Sequence, residues 1–162
     1  MEKTGPLMLH EETVRPEWLD CNGHMNLAYY VLAFDHATDK FLHHLGLDEA
    51  YKRASGGTTF VLETHVVYRR ELMRGDPMRF STQLLGHDAK RLHFMHHMYH
   101  GRDGFLAAAN EIMALHISLE TRRGAAMPAH ILAKLKALQA EHDRLPRPAE
   151  AGRAIGLERK PA

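Results

Sequence analysis

Tyr30, Phe34, Ala37, Phe41 and Leu45 recur at steps of four, three, four and four. That spacing puts apolar side chains on one face of an α-helix. The run predicts a helix from about Asn26 to Leu45, roughly 30 Å long at 1.5 Å per residue. His43 and His44 fall in its last turn, Gly46 suits the left-handed position that ends a helix, and Leu47 can pack back. Such a helix cannot bury its stripe alone, so the rest of the chain must cover it.

The covering material has a different period. In "TTFVLETHVVYRREL", Phe60, Leu62, Val66 and Tyr68 share one parity, while Glu63, His65, Arg69 and Glu71 share the other. This reads as a half-buried strand. "RGDPM" supplies a turn, and "MRFSTQLLGHD", "KRLHFMHHMYHG" and "GFLAAANEIMALHISLE" read as three more strands. A short strand over Leu7 to Val14 precedes the helix and stops before Pro16. The expected architecture is α+β: a long central helix wrapped by a curved antiparallel sheet, whose last four strands follow one another as a meander. "AHILAKLKALQAEH", opening after Pro128, is a short C-terminal amphipathic helix. Residues 1–142 thus form one domain, and 143–162, with prolines and charges but little periodicity, are expected to be a disordered tail.

Composition removes several function classes. The 162 residues are 25% charged with a net charge of +1, which gives no reason to expect nucleic acid or an anionic membrane as partner. The sequence contains no apolar run of membrane-spanning length, and "MEKTGPLMLHEE" is too polar for a signal peptide. The single cysteine rules out an intrachain disulfide and favours a cytoplasmic location.

Candidate chemistry concentrates ahead of the long helix, in "WLDCNGHMN". The histidine-rich "HFMHHMYH" is a poor metal site by comparison. On a strand His93 and His97 share a face about 13 Å apart, and His96 and His97 point oppositely. No metal and no cofactor are expected from these motifs, since Cys pairs, HExxH, GxGxxG and Walker loops are all missing. Arg69, Arg70, Arg74, Lys90 and Arg91 gather at strand ends, as solvated rims or as holders of an anionic nucleotide arm. Cys21 lies close enough to His24 and the helix start to be a nucleophile, but an inward-packed spectator thiol is the simpler expectation.

Asp20, Asn22 and His24 alternate, so an extended loop would throw all three to one side. They would meet the first free N–H groups of the helix, around Asn26, Leu27, Ala28 and Tyr29, which suit developing negative charge. A carboxylate, a water-positioning amide, an imidazole and an oxyanion hole are the parts of acyl transfer or hydrolysis. An Asx-rich helix cap explains the same spacing. The residues alone leave both readings open.

"DCNGHMN" ahead of an aromatic-rich helix resembles the hotdog-fold acyl thioesterases, both the 4-hydroxybenzoyl-CoA-thioesterase-like group and the plant acyl-ACP thioesterases. The plant enzymes carry an Asp-x-Asn-x-His-x-Asn signature, matched by Asp20, Asn22, His24 and Asn26. They also carry a Tyr-Arg-Arg-Glu run, matched by Tyr68, Arg69, Arg70 and Glu71. The resemblance implies that Asn22, His24 and Glu71 are catalytic, with Asp20 supporting them. Leu72 stands where the plant enzymes have a cysteine, and Asn22 where the hydroxybenzoyl-CoA enzymes have their aspartate. A carboxylate elsewhere, Glu71 or Asp20, would then have to act.

"VLETHVVY" and "KRLHFMHHM" also resemble the betainyl-CoA thioesterases of bacterial carnitine breakdown. Trp18, Tyr30 and Tyr68 could then receive a quaternary ammonium, and Arg69 and Arg91 the CoA phosphates. The resemblance further implies an acyl-CoA substrate and a homodimer or homotetramer paired strand to strand. A hotdog enoyl-CoA hydratase and a non-enzymatic acyl-CoA-binding module are the alternatives. The hydratase group places histidine five residues after aspartate, whereas His24 follows Asp20 by four.

Overall fold

A computed structural model describes residues 5–157. The long helix, α1, runs over Leu27–Leu45. Its ends are set by local chemistry: the Asn26 side chain accepts from the Ala28 N–H at 3.0 Å. At the other end Gly46 takes φ +91°, and the Leu47 N–H bonds back to the Leu42 carbonyl at 2.8 Å. The predicted stripe, Tyr30 through Leu45, is buried together with Ala33 and Thr38.

Five strands form one antiparallel sheet: β1 (Leu7–Thr13), β2 (Gly57–Tyr68), β3 (Pro77–His87), β4 (Arg91–His100) and β5 (Leu106–Ser118). A short helix, α2 (Glu49–Ser55), which no periodic pattern marks, links α1 to β2, and α3 (Ala129–His142) closes the fold. The spatial order is β1-β3-β4-β5-β2. The meander therefore holds for β3, β4 and β5 but not for β2, which crosses to the far edge and pairs with β5. Length explains the difference. Residues 69–76 form a connection that passes the start of α1, and β1 occupies the side of β3 that β2 would otherwise take.

The single parity expected for β2 is also broken. A bulge between Val61 and Glu63 shifts the register, so Phe60 pairs with Leu115 while Val66 and Tyr68 pair with Asn110 and Ala108. An extra residue in one strand reverses every side chain beyond it. Phe60 therefore faces away from the side on which Val66 and Tyr68 meet the core, and Phe60, Val61 and Leu62 stay exposed on an unpaired edge.

The helix packs on the sheet through two apolar clusters. Trp18, Tyr30, Phe34, Phe80 and Met98 gather near its N-terminal half. Phe41, Leu45, Leu84, Phe94, Ile131 and Leu135 gather near its C-terminal half. Between them runs a polar belt centred on His96, which is fully buried and flanked by Phe34 and Phe94. Its Nε2 meets the Thr38 hydroxyl at 3.0 Å and its Nδ1 the Thr82 hydroxyl at 2.8 Å. Burial holds its pKa down to about 3, so His96 is a neutral ring within the core.

Part of the stretch expected to be a disordered tail makes contacts with the rest of the fold. Pro146 accepts from the Gln83 amide at 3.2 Å, and the Gly152 N–H donates to Glu111 at 2.7 Å. Glu150 is buried and accepts from Arg69 at 2.8 Å and pairs with His97 at 3.3 Å. These side-chain partners lie on other elements and leave no periodic trace in the tail itself. Residues 158–162, the end of that expectation, lie outside the described residues.

Candidate active site

The segment ahead of α1 is a turn, not an extended loop. Asp20 Oδ1 accepts from the N–H groups of Asn22 at 2.8 Å and His24 at 3.2 Å, and the Asp20 carbonyl accepts from Gly23 at 3.1 Å. Gly23 takes φ +77°, a conformation that suits glycine. The alternation argument for Asp20, Asn22 and His24 therefore fails, because the chain bends back on the Asp20 carboxylate. Asp20 shapes the turn, and Asn22 and Cys21 sit exposed at its tip. The thiol, expected to pack inward, points outward for the same reason.

The turn is held against the connection after β2. Met25 N–H donates to the Leu72 carbonyl at 2.8 Å, and His24 pairs with Met73 in an isolated antiparallel bridge. Leu72 N–H in turn donates to the Tyr30 hydroxyl at 3.1 Å. Glu71, the neighbour of Leu72, is thereby brought to the segment that leads into α1. Glu71 is exposed there, and its charge adds to the burial that pushes the Tyr30 hydroxyl above its ordinary pKa. Two segments nearly fifty residues apart, the Asp20 turn and the Tyr68–Glu71 run, thus meet at one helix end.

The helix N-terminus offers less than the sequence suggested. Asn26 N–H is spent on the Trp18 carbonyl at 2.8 Å, Ala28 N–H on the Asn26 side chain, and Tyr29 N–H on the Asn26 carbonyl at 3.0 Å. Among the described residues, Leu27 N–H alone of the four has no acceptor, as the first N–H of a helix lacks an intrahelical partner.

Most of the expected substrate contacts have structural work instead. Trp18 is 3% exposed, stacked on Tyr29 with ring centres 5.5 Å apart and covered by the Arg15 guanidinium. Tyr30 is buried and edge-on to Tyr68, whose hydroxyl donates to the Leu27 carbonyl at 3.3 Å. Tyr68 is the exception, with nearly half its surface open. Arg69 is bound by Glu150, and Arg91 by Asp88 at 2.6 Å in the β3–β4 turn. Arg91 pairs with Leu115, and Tyr68 with Ala108, so the two lie at opposite ends of β5. Glu150 is the residue the sequence reading missed; it lies in a stretch without periodicity, and only the fold brings it to Arg69.

Two clefts flank the fold, and neither is lined by Asp20, Asn22, His24 or Glu71. One of about 410 Å³ is lined by Glu12, Val14, Arg15, Pro16 and Arg74, and another of about 540 Å³ by residues of α1, α2 and β2 that include Lys40, Lys52 and Arg53. In the single subunit Asn22 and Glu71 are exposed, while Asp20 and His24 are half-buried.

Known proteins fit this arrangement. The profile of the Thioesterase-like superfamily matches residues 14–135, a span that contains both the Asp20 turn and Glu71. The chain belongs to this family. With that, the sequence's expectation of a hotdog-fold thioester hydrolase is met. A betainyl-CoA thioesterase of Pseudomonas aeruginosa is 44% identical over 151 residues, covering 93% of this chain and 95% of the relative. An L-carnitine dehydrogenase/betainyl-CoA thioesterase of Agrobacterium fabrum is 39% identical over 150 residues, although the match spans only 30% of that longer protein. Among solved structures, a Staphylococcus aureus protein in complex with CoA superposes with a TM-score of 0.87 at 29% identity, covering 94% of this chain and 97% of that one. A putative thioesterase of Pseudomonas putida gives a TM-score of 0.82 at 32% identity, covering 96% and 99%.

Proposed function

We propose that this chain is an acyl-CoA thioesterase of the cytoplasm that hydrolyses betainyl-CoA. The observation that carries the reading is the end-to-end likeness to the Pseudomonas aeruginosa enzyme, 44% identical over 95% of its length. In the proposed reaction Glu71 takes a proton from water, which attacks the thioester carbonyl and expels the CoA thiolate, or Glu71 attacks the carbonyl itself, expels the CoA thiolate and forms an anhydride that water then cleaves. Asn22 and His24 orient the water and the thioester. Leu27 N–H, at the positive end of α1, stabilises the oxyanion. Asp20 keeps the turn in shape. The exposed Tyr68 ring, three residues before Glu71 in the chain, suits a trimethylammonium group, which is drawn to aromatic faces.

The active unit in this reading is a homodimer. The exposed, unpaired edge of β2 supports it, as does the open surface around Glu71, which a second subunit would cover. Antiparallel pairing of two β2 edges brings the start of one strand towards the end of the other. The cleft with Lys40, Lys52 and Arg53 would then supply cations for the CoA phosphates alongside Arg69 and Arg91, for which Glu150 and Asp88 compete.

A thiol-release assay over a panel of acyl-CoAs tests the substrate. The highest kcat/KM is expected for betainyl-CoA, with neutral acyl groups of equal length slower. Hydration of crotonyl-CoA without CoA release would replace the reading with the hydratase. Tight binding of betainyl-CoA without turnover would replace it with the binding module.

A further inference from the structure

Outside the Asp20 turn, two elements bring an unrelated set of donors together. His10 and Glu12 project from β1, and His36 projects from the middle of α1. Glu12 Oε2 lies 2.9 Å from His36 Nδ1 and 3.2 Å from His10 Nε2, and Glu12 Oε1 lies 3.1 Å from the same His36 nitrogen. All three ligand atoms fall within 4.8 Å of one another. The side chains of His10 and Glu12 are 12% and 10% exposed, while that of His36 is 33% exposed. The His10 ring is held in place by Phe80, centre to centre 5.0 Å, and meets the His36 ring edge-on at 6.2 Å.

We propose that His10, Glu12 and His36 form a three-ligand site for a zinc-class divalent transition-metal ion that pins β1 to α1. Two imidazole nitrogens and one carboxylate are a donor set for zinc and its neighbours, and a poor one for magnesium or calcium, which take oxygen. A tetrahedral ion with bonds of about 2.0–2.1 Å sets its ligands roughly 3.3 Å apart. The 3.2 Å separation already meets that value, the 2.9 Å one lies a few tenths of an ångström below it, and the third is within 4.8 Å, so rotation of the outer His36 ring would complete the set. The fourth position faces the solvent side, where His36 is open. Arg15 is the cation nearest the site, 3.5 Å from Glu12 Oε1, and its side chain is 55% exposed, free to swing away when the ion enters.

The site is separate from the proposed chemistry. Glu12 leads into Val14, whose N–H bonds to Asp76 at 3.0 Å and whose carbonyl accepts from Gly75, so the ion would brace the strand that enters the Trp18 turn. Two further pairs of a sheet histidine with a carboxylate, His93–Glu111 and His97–Glu150, bring one imidazole each and serve as controls. Sequence patterning gives no cue to the site, because His36 lies 24 residues from Glu12 on a different element.

The test uses the full chain without an affinity tag, stripped with chelator and titrated with Zn²⁺ by calorimetry and with Co²⁺ by visible absorption. One ion per chain is expected, with a rise in Tm as zinc binds the folded state. Glu12→Gln and His36→Gln should each weaken binding by more than roughly 100-fold, beyond the range that outer-shell changes produce. His93→Gln should bind as the wild type does. Should Glu12→Gln fail to fold, the more exposed His36→Gln decides the matter. Absence of a stoichiometric ion, weak binding spread over several histidines, or unaltered binding in His36→Gln would overturn the site.

Discussion

Glu71 and Cys21 both lie exposed close to the start of α1, yet their surroundings differ. Glu71 is set there by a backbone register running through Leu72 and Met73, whereas Cys21 rides on the tip of a turn organised by Asp20. Steady-state kinetics should therefore separate them. Glu71→Gln and His24→Ala are expected to fold normally and to lose about 10²-fold or more in kcat/KM, the scale of general acid–base catalysis. Cys21→Ser should keep most of the activity, and a dead Cys21→Ser enzyme would move the nucleophile to the thiol. His96 makes a different kind of prediction. Its ring is held neutral down to about pH 3 in the fold, whereas an unfolded histidine takes a proton near pH 6.5. Between those values the unfolded chain binds the extra proton, so the stability this group contributes is present above about pH 6.5 and is lost as the pH falls. The slope is up to about 1.4 kcal/mol per pH unit from this one residue. Urea unfolding at a series of pH values should show that slope in the wild type, and His96→Gln should flatten it. Equal slopes would assign acid sensitivity to other groups.

Elements differ in how far the sequence announces them. Helix α1 was legible almost to the residue because stripe, cap and Gly46 all act within the element itself. Strand boundaries came through for the same reason, but two facts about β2 did not. Its bulge at Leu62 and its place beside β5 depend on partners that no local pattern names. The candidate site divides in the same way. Asp20, Asn22, His24 and Glu71 stood out as motifs, yet which N–H groups of α1 were already bonded, and where Arg69 pointed, needed the fold. The stretch after α3 is the plainest case, since Glu150 looks like one more tail carboxylate until Arg69 and His97 are found around it. Burial alone would raise the pKa of Glu150, but the hydrogen bonds from Arg69 and His97 outweigh that and hold it below the ordinary value. Through Arg69 this contact reaches the segment that carries Glu71, so Glu150 is a positioning residue. Glu150→Ala should cost roughly 1–3 kcal/mol, the range for stranding buried polar partners. It should also lower kcat while leaving KM nearly unchanged, because Glu71 is misplaced and nothing that binds CoA is removed. Wild-type kcat in Glu150→Ala, with stability reduced, would confine the contact to folding.

At the scale of the molecule the decisive surface is the free edge of β2. Native sheets usually protect an edge with charge, proline or a covering element. Here Phe60, Val61 and Leu62 are 41%, 45% and 58% exposed in sequence, on an edge whose backbone N–H and carbonyl groups have β5 on one side only. A second copy in antiparallel register would satisfy those groups and bury the apolar side chains. It would also wall in the Asp20 turn and Glu71, which lie beside the far end of the same strand. Association and activity are then coupled, and one substitution can test both. Val61→Lys puts a charge on the edge without touching the core, so the subunit should keep its fold by circular dichroism. Light scattering should report a dimer for the wild type and a monomer for the variant, and thioester hydrolysis should fall with the dimer fraction, recovering partly as protein concentration is raised. A fully active monomer would show that one subunit suffices for the reaction, and a Val61→Lys dimer would move the interface to another face.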